Sequence, residues 1–330
     1  MIAELSGNHN GQIGRALALV DAAKQAGADA VKLQTYTPDT MTIDCNKADF
    51  KIEGGPWGGR YLYELYGEAQ TPWNWHEQLF ARAKDLKLDC FSTPFDQTAV
   101  DFLEALDAPI HKIASFELVD IPLIRKVAKT GKPLIMSTGM ATVEEVDEAV
   151  AAAKSAGAAG IVLLHCISAY PAPAEEANLA RIQMLRERYT LPIGLSDHTM
   201  GSEVAIAAVA LGAVVIEKHI TLARADGGPD AGFSLEPAEF KSMVDGVRIA
   251  QRALGRADYG RTQSEASNTK FRRSLYVVSD IAAGELLTSE NVRSIRPGYG
   301  LAPKHYDEII GKKAKQAAKR GTPVTWDLLE

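Results

Sequence analysis

Short apolar runs alternate with longer amphipathic segments along the first 255 residues of the chain. Eight runs have the length of buried strands, at 2–5, 30–33, 89–92, 110–113, 134–137, 161–164, 193–196 and 214–217. The alanine-rich segments between them repeat their apolar positions every three to four residues, which indicates helices. Eight strand–helix units over about 250 residues predict a (β/α)8 barrel of the TIM type. An open doubly wound sheet is the alternative, but no Gly-x-Gly-x-x-Gly turn follows any strand.

Residues at the predicted helix ends agree with this division. Thr142, with Glu145 three positions later, forms the pattern of a capping box, and Ser202 is in the position of another N-terminal cap. Four glycines stand between a helical segment and the next strand, where a left-handed cap is expected: Gly27, Gly131, Gly157 and Gly212.

The pattern changes after residue 255. Residues 256–271 are polar and lack periodicity, so we expect a linker between a catalytic barrel at 1–255 and a small module at 272–330. Within the module we expect a strand at 274–278 and short helices at 286–292 and 306–310. About 60 residues are few for an independently stable domain, so the module is expected to lean on a partner surface.

The segment 35–71, between the second and third predicted strands, is long for a barrel loop. It contains the run Gly-Gly-Pro-Trp-Gly-Gly at 54–59 and several large aromatic side chains, among them Trp57, Tyr61, Tyr63 and Tyr66. Long loops in compact domains are usually functional or disordered. The aromatic residues favour an ordered lid, and packing against a neighbouring subunit is an equal alternative.

Composition excludes several classes of protein. Of 330 residues, 46% are apolar and 24% charged, which is ordinary for a globular chain. The formal net charge of −6 provides no basic surface for nucleic acid or anionic lipid. The longest apolar run, 204–216, is too short to span a membrane. The first residues lack a secretory signal pattern, and three distant cysteines form no disulfide framework, so a cytoplasmic location is expected.

Polar residues occupy the carboxyl ends of all eight predicted strands, where barrel enzymes place their active sites. Lysines and hydroxyl groups at these ends could converge on one anion: Lys32, Lys112, Thr93, Ser115, Ser137 and Ser196. Each hydroxyl taken alone is more simply explained as a helix cap. Two lysines and four hydroxyls around one rim favour a phosphate or carboxylate site.

A second group of residues has the spacing of a metal site. Ser196 and His198 are two apart, Glu217 and His219 repeat this spacing on the next strand, and adjacent strands lie about 4.8 Å apart. Glu4 lies across the seam of the barrel. Two imidazoles with oxygen ligands suit Mn²⁺, Mg²⁺, Co²⁺ or Fe²⁺, although a histidine alone is more often a core or hydrogen-bonding residue.

The sequence around these positions resembles the sialic acid synthase family. The matching stretches are 3–11, 31–35, 92–95, 112–117, 137–140, 194–199 and 217–219, and the module containing 295–298 resembles the family's antifreeze-like (SAF) domain. Three further stretches favour the branch that makes pseudaminic acid over the neuraminate and legionaminate branches: 34–40, 62–66 followed by 71–76, and 272–276.

The resemblance implies an enzyme that condenses phosphoenolpyruvate with an amino-sugar aldehyde, here 2,4-diacetamido-2,4,6-trideoxy-L-altrose, and releases phosphate. It assigns phosphoenolpyruvate binding to Lys32, Thr93, Lys112, Ser115, Ser137, Ser168 and Ser196, although neuraminate synthases carry Asn at the position of Ser168. It assigns acid–base or metal-adjacent roles to Glu4, Glu117 and Asp230, and acceptor binding to Gln34, Tyr170 and Arg296. It assigns the metal, with Mn²⁺ first and Mg²⁺ or Co²⁺ as alternatives, to His198 and His219.

The resemblance also implies a domain-swapped homodimer, because in this family Arg296 would reach the active site of the other subunit. Two other functions remain open from the residues. One is a metal-dependent barrel aldolase that cleaves a keto acid without releasing phosphate, or a version of it in which Lys112 forms a Schiff base with the keto acid. The other is a sugar-binding protein without catalytic activity, which the crowded polar rim disfavours.

Overall fold

The computed structural model describes residues 1–330 and divides them into two compact units, Met1–Gly255 and Arg256–Glu330. The segment expected as a linker contains the short helix α11 (Gln263–Ala266) and a 3-10 turn at Ser267–Phe271, both within the second unit. The units are described separately below.

The first unit is a closed barrel of eight parallel strands in sequential order, which confirms the predicted fold. The strands are β1 (Ile2–Glu4), β2 (Ala30–Thr35), β3 (Asp89–Pro94), β4 (His111–Ile113), β5 (Leu134–Ser137), β6 (Ile161–Cys166), β7 (Ile193–Asp197) and β8 (Ile216–His219). The last strand begins and ends two residues later than expected. This places His219 within β8, in register with Glu4 of β1 at the barrel seam.

Helices surround the barrel. They are α1 (Ile13–Gln25), α2 (Pro38–Met41), α3 (Leu62–Ala69), α4 (His76–Asp85), α5 (Gln97–Ala105), α6 (Ile121–Ala128), α7 (Val143–Ala156), α8 (Ala180–Arg188), α9 (Glu203–Ala210) and α10 (Pro237–Ala253). The capping box of Thr142 and Glu145 forms, and the four cap glycines all have positive φ. Ser202 occupies the expected N-cap position of α9, but its hydroxyl accepts no helix N–H.

Two apolar layers hold the barrel. The larger lies between the strands and the helices, where residues such as Leu33, Val100, Leu163 and Phe240 are buried. The smaller fills the lower part of the barrel interior with Ile2, Ala30, Phe91, Ile135 and Leu164. Because strand side chains alternate between the two faces, the next inward positions lie above this floor, and there the chain carries polar residues.

The second unit contains a two-stranded antiparallel sheet of β9 (Ser274–Val277) and β10 (Val292–Ile295) and the short helix α12 (Tyr306–Ile309). Its own apolar core includes Leu275, Leu287, Val292 and Val324. The helix expected at 286–292 is wrong. This segment instead forms a turn in which Asn291 bonds the backbone at Thr288 and Leu286 before β10 begins.

Across the whole chain, no helix combines the length and the apolar character that a membrane crossing requires.

Candidate active site

The site forms above the apolar floor because several strands change from apolar to polar at the same height. On β2 the inward series is Ala30, Lys32 and Gln34, and on β5 a serine, Ser137, follows Ile135. One strand offers only a few inward positions at this height, whereas eight parallel strands together can supply many. The result is a buried polar layer in a surrounding of low polarity.

Two lysine–hydroxyl pairs lie in this layer. The Lys32 ammonium donates to Thr93 Oγ1 at 3.2 Å, and the Lys112 ammonium donates to Ser137 Oγ at 2.7 Å. Both lysines are almost completely buried. Burial lowers the pKa of Lys112, whereas for Lys32 the carboxylates of Glu217 and Glu4 outweigh burial and raise the pKa. The two ammonium groups and their hydroxyls therefore offer directed donors to an anion.

Glu217 connects the two lysines. Its carboxylate lies 3.5 Å from Lys32 Nζ and accepts a hydrogen bond from Ser196 Oγ at 3.2 Å. Burial alone would raise the pKa of Glu217, but Lys32 and Lys112 hold it below its ordinary value. Glu217 thus remains an anion that balances the lysine charges from below the site.

Gly139 leaves room for two further hydroxyls. Its N–H donates to Ser115 Oγ at 3.1 Å. A Cβ at this position would overlap Ser168 Oγ and would lie 2.7 Å from Ser115 Oγ. The structure therefore brings Ser115 and Ser168 together around a glycine, in the arrangement that a small oxyanion needs for close approach to backbone and hydroxyl donors.

Glu4 and Asp230 are linked through Gln34 and Ser6. The Gln34 amide donates to Glu4 Oε1 at 3.0 Å and to Ser6 Oγ at 3.1 Å, and the Ser6 hydroxyl donates to Asp230. Glu4 also lies 2.5 Å from Lys32 Nζ. Burial raises the pKa of both carboxyls. The predicted acid residues and the predicted acceptor-binding Gln34 therefore form one network.

His198 and His219 face each other at the top of β7 and β8, with ring centroids 5.4 Å apart. His198 Nδ1 lies 2.9 Å from the carbonyl oxygen of Ile167. Because a carbonyl only accepts, Nδ1 donates this bond, which in the neutral ring leaves the lone pair on Nε2, as in most metal-bound histidines. Burial would lower the pKa of His198, but Cys166 outweighs burial and raises it. Burial lowers the pKa of His219 strongly, so its ring is neutral, and its Nδ1 is buried without a partner.

The donor set of these two histidines fits a divalent cation with open coordination positions. No group of three or more His, Cys, Asp and Glu side chains is gathered closely enough for a complete protein cage. Water or substrate oxygens would therefore supply the remaining ligands, which is typical of catalytic rather than structural sites.

Aromatic side chains cover the histidine pair. The Tyr170 ring lies 4.4 Å from the His198 ring, and the Phe233 ring lies 5.1 Å from the His219 ring. Trp57 lies 5.5 Å from Tyr170 and 6.3 Å from Phe233 between ring centroids. We call these three residues, Trp57, Tyr170 and Phe233, the aromatic cage.

Glu117 follows β4 and is partly buried. Burial raises the pKa of its carboxyl to about 7, although the charge of Lys112 opposes the shift. Its Oε2 is buried without a hydrogen-bond partner. A carboxyl that titrates near neutral pH and lies close to the Lys112 ammonium group has the properties of a general acid–base residue.

Arg296 is the one predicted site residue that belongs to the second unit. It is exposed and directly follows β10. The other predicted residues all belong to the barrel unit.

Sequence reasoning assigned no role to Gly139, Ser6 or Phe233. It placed Glu217 in the metal-site spacing from its parity with His219, but did not predict its contact with Lys32, and it placed Trp57 only in an expected lid. Gly139 lies in a matched stretch, but only the packing shows that its missing Cβ matters. Ser6, Trp57 and Phe233 belong to loops. The periodicity of apolar residues does not predict which loops approach the site.

Comparison with known proteins supports the same grouping. The model of the NeuB family matches residues 19–259. The chain belongs to the NeuB family. The SAF domain model matches residues 272–330, so the antifreeze-like module that the sequence resemblance indicated is present after the NeuB region.

Relatives in the NeuB family span nearly the whole chain. A pseudaminic acid synthase of Campylobacter jejuni subsp. jejuni serotype O:2 is 47% identical over 97% of this chain and 94% of its own length. A pseudaminic acid synthase of Helicobacter pylori is 44% identical over 100% of this chain and 97% of its own length. A crystal structure of N-acetylneuraminic acid synthetase from Leptospira borgpetersenii, in complex with citrate, is 32% identical. It covers 81% of this chain and 88% of that chain, with a TM-score of 0.73.

Proposed function

We propose that this chain condenses phosphoenolpyruvate with 2,4-diacetamido-2,4,6-trideoxy-L-altrose and water, and releases pseudaminic acid and phosphate. The observation that carries the proposal is one continuous buried layer, in which the Lys32–Thr93 and Lys112–Ser137 pairs lie beside the histidine pair. The choice of acceptor is supported by the two pseudaminic acid synthases that match nearly the whole chain.

In this proposal the lysines hold the phosphate of phosphoenolpyruvate throughout the reaction. C3 of phosphoenolpyruvate attacks the aldehyde carbon of the sugar, and positive charge develops at C2. Water adds to C2, and the tetrahedral intermediate then loses phosphate by cleavage of the C–O bond. Lys32 and Lys112 lie in a buried layer, where their charges stabilise the departing phosphate more than they would in water.

Glu117 would orient the attacking water and accept its proton, since its raised pKa places the carboxyl near its midpoint at neutral pH. Gln34 and Tyr170 would hold the acceptor above Glu4 and Asp230, and Ser115, Ser168 and Ser196 would complete the donors around the anion. These roles rest on the geometry of the polar layer and on the family's motifs.

His198 and His219 would hold a divalent cation, for which Mn²⁺ is the first choice and Mg²⁺ or Co²⁺ are alternatives. Such an ion would supply Lewis-acid polarisation of the aldehyde oxygen. The unpartnered Nδ1 of His219 and the lone pair left on His198 Nε2 support this assignment.

We infer also that two chains form a domain-swapped dimer in the cytoplasm, with Arg296 of each chain serving the acceptor site of the other. Apolar side chains on loops that follow β4, β5 and β7 support a covered barrel mouth: Phe116, Val119, Met140 and Met200 are 48–60% exposed. Exposed apolar patches of this kind mark interaction surfaces.

One experiment tests the reaction. Protein stripped of metal and then given Mn²⁺ is incubated with phosphoenolpyruvate alone, with the altrose derivative, with N-acetylmannosamine and with the legionaminate precursor. We expect phosphate release only with metal and the altrose derivative. Release with one of the other sugars would keep the synthase reaction and assign the enzyme to the branch that uses that sugar. Mn²⁺ binding by calorimetry should disappear in His219→Ala, and retained binding would overturn the metal assignment.

A Schiff-base aldolase is the second candidate, because burial lowers the pKa of Lys112, as in nucleophilic lysines. Borohydride treatment in the presence of pyruvate separates the two functions. A covalent adduct at Lys112 would favour the aldolase, whereas the synthase would show no adduct.

A further inference from the structure

Trp57 is held at the active site by a hairpin that belongs to none of the barrel's strand–helix units. Lys51 pairs with Tyr61 in an antiparallel bridge, and the amide of Ile52 bonds the carbonyl of Arg60 at 2.9 Å. The tip between them is tight, since a Cβ on Gly58 would lie 3.0 Å from the carbonyl oxygen of Gly54. The glycines of the tip therefore allow a turn that other residues would prevent.

The side chain of Trp57 is partly buried, although the tip residues on either side of it are exposed. Its burial does not come from the barrel core, against which Trp75 packs but Trp57 does not. Its contacts are instead Tyr170 and Phe233, the two aromatic residues that lie against the histidines. Trp57 therefore packs against the aromatic residues of the site and not against the apolar core of the barrel.

A hydrogen bond fixes the orientation of the indole. Trp57 Nε1 donates to the carbonyl oxygen of Pro229 at 2.7 Å, and Pro229 directly precedes Asp230. The hairpin is thus tied to the loop after β8 at the point where that loop enters the acidic network. The aromatic cage thus consists of three rings in mutual contact, two of which also contact the histidine pair.

We propose that Trp57 determines acceptor specificity, by closing an apolar wall that limits the size of the N-acyl group next to the aldehyde carbon. The inference rests on the proposed function, in which the aldehyde lies at the histidine pair. The substituent on the adjacent carbon is then the group nearest the cage. A planar amide with a terminal methyl group packs well on aromatic faces, and a longer acyl chain would meet the indole.

The test compares acceptors that differ only in the acyl group at C2: N-formyl, N-acetyl and N-butanoyl. For the wild type we expect the highest kcat/KM with the N-acetyl sugar. One missing carbon in an apolar pocket costs about 10- to 200-fold in kcat/KM, and the two additional carbons of the butanoyl group should cost at least as much. Trp57→Ala should lower kcat/KM for the N-acetyl sugar and raise it for the N-butanoyl sugar, and it should leave the KM for phosphoenolpyruvate within about twofold of wild type.

Trp57→Phe should retain most of the preference, because a ring remains in the cage. Tyr63→Ala is the matched control, since Tyr63 lies on the same long loop but bonds Asp39 away from the cage; its acyl preference should equal that of wild type.

Equal loss of kcat/KM for all three sugars in Trp57→Ala would overturn the inference and leave the proposed function intact. No phosphate release by the wild type with any of the sugars would overturn the proposed function, and this inference with it.

Discussion

At the scale of single residues, the site depends on how closely its buried polar groups approach one another. Gly139 shows this most directly, because the hydroxyls of Ser115 and Ser168 fill the position that a Cβ on this residue would take. Replacement of such a glycine forces two hydroxyls apart at once. We expect the energetic cost to fall on ligand binding, since these hydroxyls belong to the proposed anion site rather than to the apolar core.

We therefore predict that Gly139→Ala weakens phosphoenolpyruvate binding by about 10- to 100-fold, the range expected when one carbon overfills a packed site. Isothermal calorimetry of phosphoenolpyruvate binding measures the effect. Gly160→Ala is the control, because a Cβ on Gly160 would meet no atom within 4 Å. Unchanged affinity in Gly139→Ala would show that the two hydroxyls do not bind the substrate.

Glu117 gives a prediction for pH dependence. Its pKa of about 7 means that the carboxylate needed for proton acceptance forms as the pH rises through neutrality. The kcat of the wild type should thus rise to a plateau above pH 7, and Glu117→Gln should have low kcat without this inflection. The measurement is phosphate release between pH 5.5 and 9, and an inflection that persists in the variant would assign the titration to another group.

The same pKa fixes the sign of an effect on stability. Between the ordinary value of 4.5 and about 7, the folded protein holds a proton on Glu117 that the unfolded chain has lost. The free energy of unfolding should therefore fall as pH rises through this window, by about 2–3 kcal/mol from this one group. Glu117→Gln should remove this part of the pH dependence in denaturant titrations.

At the scale of elements, β7 and β8 carry alternate residues to opposite faces. Ser196, Glu217 and His219 point into the barrel, while Asp197 and Lys218 point out towards the helices. Lys218 Nζ lies 2.7 Å from Asp197 Oδ2, and both side chains are buried. Asp197 Oδ1 also accepts from the N–H and hydroxyl of Thr199 at 2.9 and 2.8 Å. This ion pair joins the two strands that carry the histidines.

We predict that Asp197→Ala lowers the free energy of unfolding by about 3–5 kcal/mol, because it leaves the Lys218 ammonium buried without a counter-charge. The double variant Asp197→Ala/Lys218→Met should recover much of this loss. Urea denaturation of the single and double variants measures the coupling. Additive losses in the double variant would mean that the pair contributes no interaction of its own.

The sequence predicted which strands and helices exist more accurately than it predicted where they end or how the loops fold. The barrel followed from eight apolar runs, because period and alternation are local properties of the chain. His219 was expected at the end of the last strand, where the structure has it, although the apolar run 214–217 stops two residues earlier; pairing with β1 extends β8 to His219. The residues around Lys32 and Lys112 were predictable from strand parity. Trp57 and Phe233 were not assigned to the site, because a loop's path depends on contacts that are remote in sequence.

At the scale of the whole molecule, the proposed dimer makes a quantitative prediction. In a swapped assembly, each site combines the barrel of one chain with Arg296 of the other. Arg296→Ala and Lys112→Met chains should each be inactive alone. Co-expressed at equal levels, they should recover about a quarter of the wild-type rate, since half of the dimers are mixed and one site in each is intact.

Co-purification through two different affinity tags would isolate the mixed dimers, whose rate per dimer should be about half that of wild type. If Arg296 acted on its own barrel, each site of a mixed dimer would carry one defect, and mixing would restore nothing.

The polar layer has a consequence for the order in which ligands bind. Lys32 and Lys112 are already matched by the carboxylates of Glu4 and Glu217, above a buried apolar floor of Phe91, Ile135 and Leu164. A substrate with both a phosphate and a carboxylate group therefore brings excess negative charge into a neutral compartment. Its affinity must be thermodynamically linked to the uptake of a cation or of protons. By reciprocity, each ligand lowers the dissociation constant of the other by the same factor.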